Sequence, residues 1–343
     1  MSEVVPTIDL SPWAEGGPQA RRRLAADIDR ACTEIGFLHL VGHGIADDVI
    51  AAQRAAADHL FGLPLEEKLA LMSPSAEVNR GYAAEGTESL AYSLGQDATP
   101  DRFEAFNLGP DAPDLDNPAV VAARGTHFAP NIWPDAHPDV RDAFVRYFAE
   151  ARRVADLLTE IFAAALDLEP GFFGRHTGHS TDTLRVIHYE RRDDAPPIAP
   201  GQMRMGAHTD YGIVTVLLAD PVPGLQVHTG GDWHDVVPDP GALLANLGDL
   251  TAQWTNDRWR STLHRVVPPP EGTTGPFLRR SAAFFHDGDH DALVECLPTC
   301  QSEDNPARYP PVLAGEHLMA KLLGPRELRP STATQTTGDR LTT

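Results

Sequence analysis

Residues 207–218 read AHTDYGIVTVLL, and this stretch decides the predicted fold class. Its second half is a run of β-branched and aliphatic residues with the length and composition of a buried strand. Similar short segments recur between residues 183 and 286, separated by Gly, Pro, Asn and Asp: TLRVIHYE, GLQVHT, WHDVV, ALLANLG, STLHRVV and RRSAAFF. Strands this short and this regularly spaced predict a barrel or a double sheet.

The residues before these strands predict a mixed region with several helices. Helical patterns cover residues 17–35 and 46–61, with a strand predicted at Phe37–Val41 between them. Residues 76–136 are rich in Gly, Asp, Asn and Pro, which predicts loops with short elements. The clearest helix is predicted for residues 138–167, where apolar residues recur every three or four positions and form one packing face: Phe144, Phe148, Ala151, Ala155, Leu158 and Phe162.

The predicted fold class is therefore α+β, with a mostly β core flanked by helices. We divide the chain into an N-terminal mixed α/β region (1–135), a long helix followed by the β core (136–328) and a polar C-terminal tail (329–343). The chain has 30 Pro and 28 Gly spread along its length, as many turns between short strands require.

The composition disfavours several classes of protein. The chain has 343 residues, with 28 Lys and Arg against 49 Asp and Glu, a formal net charge of −21 that repels phosphate backbones. Cys32, Cys296 and Cys300 are too few for a secreted disulfide framework. The sequence shows no signal-peptide pattern and no apolar run of the ~18 residues that a membrane span needs. We therefore expect a cytoplasmic protein that binds neither nucleic acid nor membranes.

The triplet His208-Thr209-Asp210 is a candidate metal site. On a strand, side chains at positions i and i+2 point to the same face, so His208 and Asp210 can converge on one ion. His264, which lies 56 residues beyond His208, offers a third ligand. Two imidazoles and one carboxylate on one side of an ion leave the opposite positions open, which suits Fe(II) and oxygen chemistry.

Taken alone, an H-x-D triplet is weak evidence for a metal. The chain has 15 histidines, and a polar pair at the end of a strand is a common alternative. Other histidines compete as candidate ligands, although surface or hydrogen-bonded structural roles also explain them: His188, His228, His234, His286 and His290.

Arg279 and Ser281 form a second polar pair, 15 residues after His264, and share one face of a predicted strand. The Arg guanidinium can bind a carboxylate in two places, and Ser adds a hydroxyl donor. An iron site beside a carboxylate anchor suits a 2-keto acid, which chelates the metal at one end and is anchored at the other. A surface salt bridge is the alternative explanation for this pair.

Over most of its length the sequence resembles the isopenicillin N synthase-like branch of the Fe(II)/2-oxoglutarate-dependent dioxygenases. The resemblance rests on segments that follow one another in the family's order: VPTIDLS, GFLHLVGHGI, FGLPLEEK, RGYAAEG, DRFEAFNLG, AHTDYGIVTVLL, PGLQV, NLGDLTAQWTNDRWRSTLHRVV and RRSAAFF. It implies a double-stranded β-helix, or jelly-roll, core with helices packed outside. It also implies an oxidoreductase that uses Fe(II), 2-oxoglutarate and O2.

The resemblance also implies roles for single residues. By this resemblance Fe(II) is bound by His208, Asp210 and His264, and the distal carboxylate of 2-oxoglutarate by Arg279 and Ser281.

Three further residues fall in family segments. Tyr189 stands where the family often has a tyrosine that supports the 2-oxoglutarate anchor, although Ile187 replaces the asparagine usual in that segment. Asn246 and Asp249 belong to the N-x-G-D segment and are interpreted as structural supports, not as ligands.

The implied reaction couples decarboxylation of 2-oxoglutarate, to succinate and CO2, with removal of a hydrogen from a small organic substrate. A carboxylate at Asp210 occupies the position that a halogenase leaves free for halide, so hydroxylation, desaturation or ring formation is expected. One alternative is an Fe(II) oxidase of the same fold that needs no 2-oxoglutarate and uses Arg279 and Ser281 for the substrate's own carboxylate. A second alternative is a non-catalytic small-molecule binder, and a zinc hydrolase would need a general base that the sequence does not identify.

The substrate is predicted only in outline, as a small organic molecule with an apolar or carboxylated part. We expect the mouth of the site to be lined by the C-terminal segment and by five loop residues: Arg80, Tyr82, Tyr92, Phe103 and Phe106. Packing of the loop residues against the outer helices is an equally good explanation for their presence. High use of Ala, Gly, Pro and Arg is typical of a GC-rich bacterial source, where biosynthesis of a specialised metabolite is plausible. A monomer is the expected oligomeric state.

Overall fold

An eight-stranded β-sheet lies at the centre of the fold, beside a four-stranded sheet and a two-stranded one within the described residues. The structure is a computed structural model that describes residues 4–95, 98–191, 198–199, 201–270 and 277–328. The predicted tail, residues 329–343, lies outside these ranges. The strands of the described part are β1 (Thr7–Asp9), β2 (Phe37–Val41), β3 (Gly81–Ala83), β4 (Glu104–Leu108), β5 (Thr183–Arg191), β6 (Met205–His208), β7 (Val214–Ala219), β8 (Leu225–Thr229), β9 (Asp232–Asp235), β10 (Leu243–Leu247), β11 (His264–Val266), β12 (Phe277–His286), β13 (Leu293–Val294) and β14 (Val312–Leu313).

Helices precede, interrupt and follow these strands. The α-helices of the described part are α1 (Ser11–Glu15), α2 (Pro18–Glu34), α3 (Asp47–Phe61), α4 (Leu65–Leu69), α5 (Pro118–Ala122), α6 (Pro138–Ala165), α7 (Asp249–Trp254) and α8 (Ala314–Arg326). Short 3-10 turns lie at Leu90–Leu94, Phe173–Arg175 and Pro298–Cys300. The helices predicted from periodicity match α2, α3 and α6 to within two residues at each end, whereas α7 and α8 were not predicted.

The sheet topology is that of a jelly roll. The larger sheet has eight strands in the order β1-β2-β10-β7-β12-β5-β4-β3, and the smaller has four in the order β6-β11-β8-β9. All neighbours in these two sheets are antiparallel except β1 and β2. From β5 to β12 the chain passes back and forth between the two sheets, with β8 and β9 as consecutive neighbours in the smaller one, as in a double-stranded β-helix. The predicted fold class, a β core flanked by helices, is confirmed.

Two apolar cores hold these layers together. The outer core lies between the larger sheet and the helices, and it buries the whole predicted stripe of α6. The inner core lies between the two sheets, where Ile187 and Leu244 of the larger sheet meet Met205, Val227 and Val266 of the smaller sheet. Burial of apolar area on both faces fixes the register of the central strands, because a shift of one residue would exchange the two faces.

β12 shows how one strand serves both cores. Arg279, Ser281 and Ala283 face the space between the sheets and line a cavity there. Arg280 and Phe284 alternate with them and point to the outer side, where Arg280 pairs with Asp58 and Asp220. This alternation is the period of two expected for a strand. It confirms that Arg279 and Ser281 share a face.

A buried ion pair joins the N-terminal helices to the larger sheet. Lys68 Nζ lies 2.7 Å from Glu104 Oε2, and the Tyr82 hydroxyl donates to the same oxygen at 2.6 Å. Burial alone would raise the pKa of Glu104, but hydrogen bonds from His188, Lys68 and Tyr82 outweigh it and lower the pKa to about 2. The ionised carboxylate is therefore bound more favourably in the folded chain than in the unfolded chain.

Glu104→Gln is expected to lower the free energy of unfolding by about 3 kcal/mol at pH 7, because Lys68 would lose its buried partner. Because the folded pKa of Glu104 is depressed, its contribution is present above the unfolded pKa of about 4.5 and is lost as the pH falls towards 2. Urea unfolding at several pH values measures both effects. The matched control, Glu150→Gln at the exposed Glu150–Arg153 pair, should change stability by less than about 0.5 kcal/mol. An equal cost for both variants at pH 7 would contradict the assignment.

The cysteines and the helices of the described part bear on disulfides and membrane spans. Cys32, Cys296 and Cys300 are free thiols. Within the described ranges, no helix has the length and apolar character needed to cross a membrane.

Candidate active site

The two candidate histidines meet across the smaller sheet. β6 and β11 are antiparallel neighbours, and His264 is directly opposite His208 in their register. The imidazole centroids are 4.3 Å apart, and both side chains are buried. The segment between them in sequence, residues 209–263, contains the strands β7 to β10 and helix α7, and the sheet pairing brings the ends of this segment together.

Backbone carbonyls fix the orientation of both imidazoles. His208 Nδ1 lies 2.8 Å from the Gly206 carbonyl, and His264 Nδ1 lies 3.0 Å from the Thr262 carbonyl. A carbonyl can only accept, so each Nδ1 carries a proton, and Nε2 is the atom with a lone pair when the ring is neutral. Burial and the neighbouring His264 lower the pKa of His208 to about 4 despite the opposing effect of Asp210. The Nε2 atom of His208 therefore has a free lone pair at physiological pH and can act as a metal ligand.

Asp210 completes the group from a turn rather than from a strand. β6 ends at His208, so Asp210 is not placed by the predicted alternation of side chains along a strand. A hydrogen bond of 2.8 Å from the Asp249 amide nitrogen to the Asp210 carbonyl oxygen stabilises the turn instead. Asp210 Oδ2 accepts from Asn246 Nδ2 at 2.6 Å and from the Thr215 hydroxyl. Asp210 Oδ1 is left facing the two imidazoles, 3.9 Å from His208 Nε2 and 3.8 Å from His264 Nε2.

These three side chains fit a metal ion by their chemistry. Their ligand atoms all lie within 4.8 Å of one another. Two neutral imidazole nitrogens and one carboxylate oxygen, each with its remaining polar atom hydrogen-bonded, are the donor set that non-haem Fe(II) takes in oxygenases. Asn246 supports Asp210 directly. Asp249 acts one step further away, since it accepts from the Thr209 hydroxyl at 3.3 Å and pairs with Lys321 at 3.0 Å.

A cavity with an empty volume of about 1080 Å³, including its open mouth, extends from these ligands between the two sheets. Arg279 and Ser281 lie on its wall. Arg279 is only 1% exposed, and its Nε and Nη1 atoms have no hydrogen-bond partner among the described residues. Burial lowers the pKa of Arg279, but a guanidinium still keeps its charge at neutral pH.

A buried charge with unused donors is costly unless a ligand supplies the missing anion. The surrounding wall is apolar, with Ile187, Leu217, Leu225 and Val266 lining the same cavity. A carboxylate held there would be shielded from water. The residues present therefore fit one end of a 2-keto acid whose other end reaches the metal ligands.

Tyr189 lies beside this anchor. It is opposite Arg279 in the pairing of β5 with β12, and the Arg279 guanidinium carbon lies 5.2 Å from its ring centroid. Its buried hydroxyl makes a long contact of 3.8 Å with Met205 Sδ. Tyr189 thus packs against the guanidinium and lines the cavity. Its predicted contact with 2-oxoglutarate stays a prediction.

The five residues predicted at the mouth are not among the described residues that line the cavity. Arg80 donates to the carbonyls of Asn79, His127 and Ala129. Tyr82 donates to Glu104, and Phe106 packs against Trp133 and Phe144 in the outer core.

The other two lie closer to the cavity. Tyr92 belongs to the 3-10 turn Leu90–Leu94, whose first residue, Leu90, does line it. Phe103 lies behind the wall, with its ring 5.0 Å from the Arg185 guanidinium carbon and 6.1 Å from the Tyr189 ring.

Sequence reasoning missed other residues that do line the cavity. These are Asn79 and Glu88 from the N-terminal half of the chain, Arg185 from β5 and Arg326 from the end of α8. The segment RVIHYE gives no signal that its Arg faces inward, because polar and apolar residues occur on both faces of the strand. Leu318, Leu322 and Pro325 of α8 also line the cavity, which agrees with the prediction that the C-terminal segment contributes to the site.

The competing histidines have other partners. His286 Nδ1 lies 3.1 Å from Asp182 Oδ1, and His188 stacks on Phe61 at 4.9 Å. His234 contacts the Thr229 carbonyl, and His228 packs against Trp233. His290 is near His179 and Asp291, a second group with ligand-type atoms within 4.8 Å of one another. None of these residues lines the cavity in the described part of the chain.

A jelly roll that carries two imidazoles and one carboxylate on its inner side defines a class, the mononuclear non-haem iron oxygenases. Two family models match the chain: the N-terminal region of non-haem dioxygenases in morphine synthesis over residues 5–136, and the 2OG-Fe(II) oxygenase superfamily over residues 180–288. The chain belongs to this superfamily.

Relatives and solved structures agree with this assignment. The chain is 35% identical to validamycin A dioxygenase of Streptomyces hygroscopicus subsp. limoneus over 94% of its own length and 86% of that protein. It is 32% identical to a 2-oxoglutarate-Fe(II) type oxidoreductase of Emericella nidulans over 90% and 86% of the two lengths. The crystal structure of Neurospora crassa T7H in complex with alpha-KG and thymine superimposes with a TM-score of 0.80 and 28% identity, covering 93% and 96%.

The chain is therefore a 2-oxoglutarate-dependent Fe(II) dioxygenase. It uses Fe(II), 2-oxoglutarate and O2, and it oxidises a small organic molecule with release of succinate and CO2. The predicted family, cofactors and reaction class are confirmed, and the oxidase and the non-catalytic binder are not favoured.

Proposed function

We propose that His208, Asp210 and His264 hold the Fe(II), and that Arg279 and Ser281 anchor the distal carboxylate of 2-oxoglutarate. The observation that carries this proposal is the pair of unpartnered, buried donors on Arg279, in the same cavity as the three converging ligand atoms. The anchor is on the larger sheet and the ligands are on or beside the smaller sheet, so the keto acid would bridge the two.

The residues around the three ligands have defined tasks in this arrangement. Bound Fe(II) supplies the redox centre at which oxidative decarboxylation of 2-oxoglutarate is coupled to oxidation of the substrate. The Gly206 and Thr262 carbonyls keep the imidazole Nε2 atoms aimed inward, since each accepts the Nδ1 proton. Thr215 and Asn246 hold Asp210 Oδ2, so that Oδ1 is the oxygen offered to the metal.

The anchor residues orient the co-substrate. The Arg279 guanidinium would bind the distal carboxylate in two places, and the Ser281 hydroxyl would donate a further hydrogen bond. The apolar wall excludes water from this end, which strengthens each charged hydrogen bond and fixes the keto group towards the metal ligands. A carboxylate at Asp210 fills a coordination position, so the proposed outcome is hydroxylation, desaturation or ring formation and not halogenation.

The substrate would enter through the part of the cavity next to α8. We propose a metabolite of bacterial specialised pathways, which the name of the Streptomyces relative supports. The proposed ligands and anchor need no residue from a second subunit, and we propose a monomer that acts in the cytoplasm. Sedimentation velocity tests the monomer, and a dimer at micromolar concentration would contradict it.

Anaerobic addition of Fe(II) and then 2-oxoglutarate to the metal-free protein tests the proposal. A visible charge-transfer band that needs both components is expected, because the keto acid would chelate an Fe(II) held by His208, Asp210 and His264. Succinate release in air can then screen candidate substrates. Iron binding without the band would favour the oxidase, with Arg279 and Ser281 holding a substrate carboxylate. No iron binding would refute the ligand assignment.

A further inference from the structure

A second buried arginine faces the same cavity at a different level of the larger sheet. Arg185 lies on β5, on the cavity face that also presents Ile187 and Tyr189. Tyr189 is opposite Arg279 in the β5–β12 pairing, so the Arg185 position is four residues, or about 13 Å, along β5 from the keto-acid anchor. His208, Asp210 and His264 line the same cavity. Arg185 thus shares the cavity with the proposed metal ligands but is separate from Arg279.

Arg185 uses few of its five N–H donors. Its Nη2 donates to Glu88 Oε2 at 2.6 Å. Its side chain is only 10% exposed, and its buried Nε has no hydrogen-bond partner among the described residues. Phe103 lies 5.0 Å from the guanidinium carbon and supports one face of it. A guanidinium held in this way has donors left for a ligand.

Glu88 is shared by two arginines. Arg326, at the end of α8, places its Nε 3.7 Å from Glu88 Oε1, and this Nε is also buried without a hydrogen bond. The Nη atoms of Arg326 donate to the Ala76 and Val78 carbonyls and to Asn79 Oδ1. We call Glu88, Arg185 and Arg326 the Glu88 cluster. It carries two positive charges and one negative charge, and it lines the cavity.

Neighbouring carboxyl groups balance this charge only in part at neutral pH. Burial raises the pKa of Asp101 to about 7, and this carboxyl is already bonded to the amides of Leu90 and Gly206. Burial and Asp182 raise the pKa of Asp287, on the same cavity wall, to about 8. The cluster therefore keeps an excess positive charge in a site with little water.

Beside the cluster the cavity wall is aliphatic. Leu90 faces it from the 3-10 turn, and Leu318, Leu322 and Pro325 face it from α8. A ligand bound here would meet charged donors at one end and apolar side chains along its body. This is the usual arrangement of a specific small-molecule site, with a few polar groups that fix orientation.

We infer that the substrate is a small carboxylic acid, whose carboxylate is bound by Arg185 within the Glu88 cluster and whose apolar body lies against α8. This inference rests on the proposed function, because it takes the metal ligands and the Arg279 anchor as assigned above. Arg185 is then a specificity-determining residue, and the enzyme binds two carboxylates at two separate arginines: the co-substrate at Arg279 and the substrate at Arg185.

Binding of matched acids and neutral analogues tests the inference. The protein is loaded anaerobically with Fe(II) and 2-oxoglutarate, and calorimetry measures binding of phenylacetate, cyclohexanecarboxylate and hexanoate, each beside its primary amide and methyl ester. At least one acid is expected to bind about tenfold or more tightly than its neutral analogues. Arg185→Met should weaken that acid roughly ten- to a hundredfold and change the analogues little. Arg146→Met, at an exposed pair with Asp48, is the control and should leave acid binding unchanged.

Further variants separate recognition from folding. The double variant Arg185→Met/Glu88→Gln removes both charges of the buried pair, so it avoids an unpaired Glu88 and should show the same loss of acid preference. Arg185→Lys keeps the charge but not the fork and should bind acids with intermediate affinity. In all of these variants the charge-transfer band should titrate with 2-oxoglutarate as in the wild type.

Three results would overturn the inference: no acid binds, acids and amides bind equally well, or Arg185→Met keeps the wild-type preference for acids. An acid that competes with 2-oxoglutarate occupies Arg279 and also counts against it. Absence of the band in the wild-type protein would instead refute the proposed function, so the two failures are distinguishable.

Discussion

Asp210→Ala is expected to abolish turnover and to weaken Fe(II) binding by more than about a hundredfold. Asp210 Oδ1 is the only carboxylate oxygen among the described residues that converges with both imidazole Nε2 atoms, at 3.9 and 3.8 Å. Its loss leaves two neutral ligands, which hold a divalent ion weakly. Iron content after desalting and succinate release under 2-oxoglutarate measure the two effects.

Two further variants accompany this prediction: one removes a hydrogen bond that supports Asp210, and the other is a control far from the site. Asn246→Ala removes a hydrogen bond to Asp210 Oδ2 but keeps all three ligands, so iron affinity should fall only about 10- to 100-fold. Asp142→Ala, on the exposed side of α6, should behave as the wild type. Wild-type turnover in Asp210→Ala would show that the ligand assignment is wrong.

Arg279→Leu is expected to raise the Kd for 2-oxoglutarate roughly 30- to 1000-fold, equivalent to about 2–4 kcal/mol for a buried charged pair that loses one partner. The unpartnered Nε and Nη1 atoms of Arg279 are the donors that the distal carboxylate would take. The charge-transfer band, titrated with 2-oxoglutarate in the absence of O2, measures this Kd. Iron binding should not change, because Arg279 is not a ligand.

The neighbouring residue supplies a matched control. Arg280 is on the same strand but faces outward, where it pairs with Asp58 and Asp220. Arg280→Leu should therefore lower stability slightly and leave the Kd for 2-oxoglutarate unchanged. If Arg279→Leu kept the wild-type Kd, or if both variants lost affinity equally, the proposed anchor would be refuted.

Much of the fold could be predicted because strong local patterns coincide with tertiary packing. The stripe of α6 recurs at helical spacing and is buried as a unit, and β2 is a mostly apolar segment between Gly36 and Gly42, which both have positive φ. Helix α8 was missed for a physical reason. Its apolar residues do not form one stripe, and it contains Pro325, so its position depends on tertiary contacts such as that of Arg326 with Asn79.

The candidate site was predicted unevenly for a similar reason. His208, Asp210 and Arg279 stand in recognisable segments, and the structure brings them to one cavity. Arg80 and Tyr82 stand in equally recognisable segments, yet their donors are taken by backbone carbonyls and by Glu104. Sequence can indicate that a polar residue is unusual, but only the surrounding hydrogen bonds decide whether it has donors left for a ligand.

Helix α8 contributes wall residues to the cavity, but none of the proposed metal ligands or keto-acid anchors. Those reactive parts are carried by the two sheets. Substitutions at Leu318 or Leu322 can therefore change the size and shape of the space offered to a substrate without altering the chemistry. Such a separation lets gene duplicates acquire new substrates while they inherit an intact catalyst. For the protein engineer, it makes this helix the natural place to build a library.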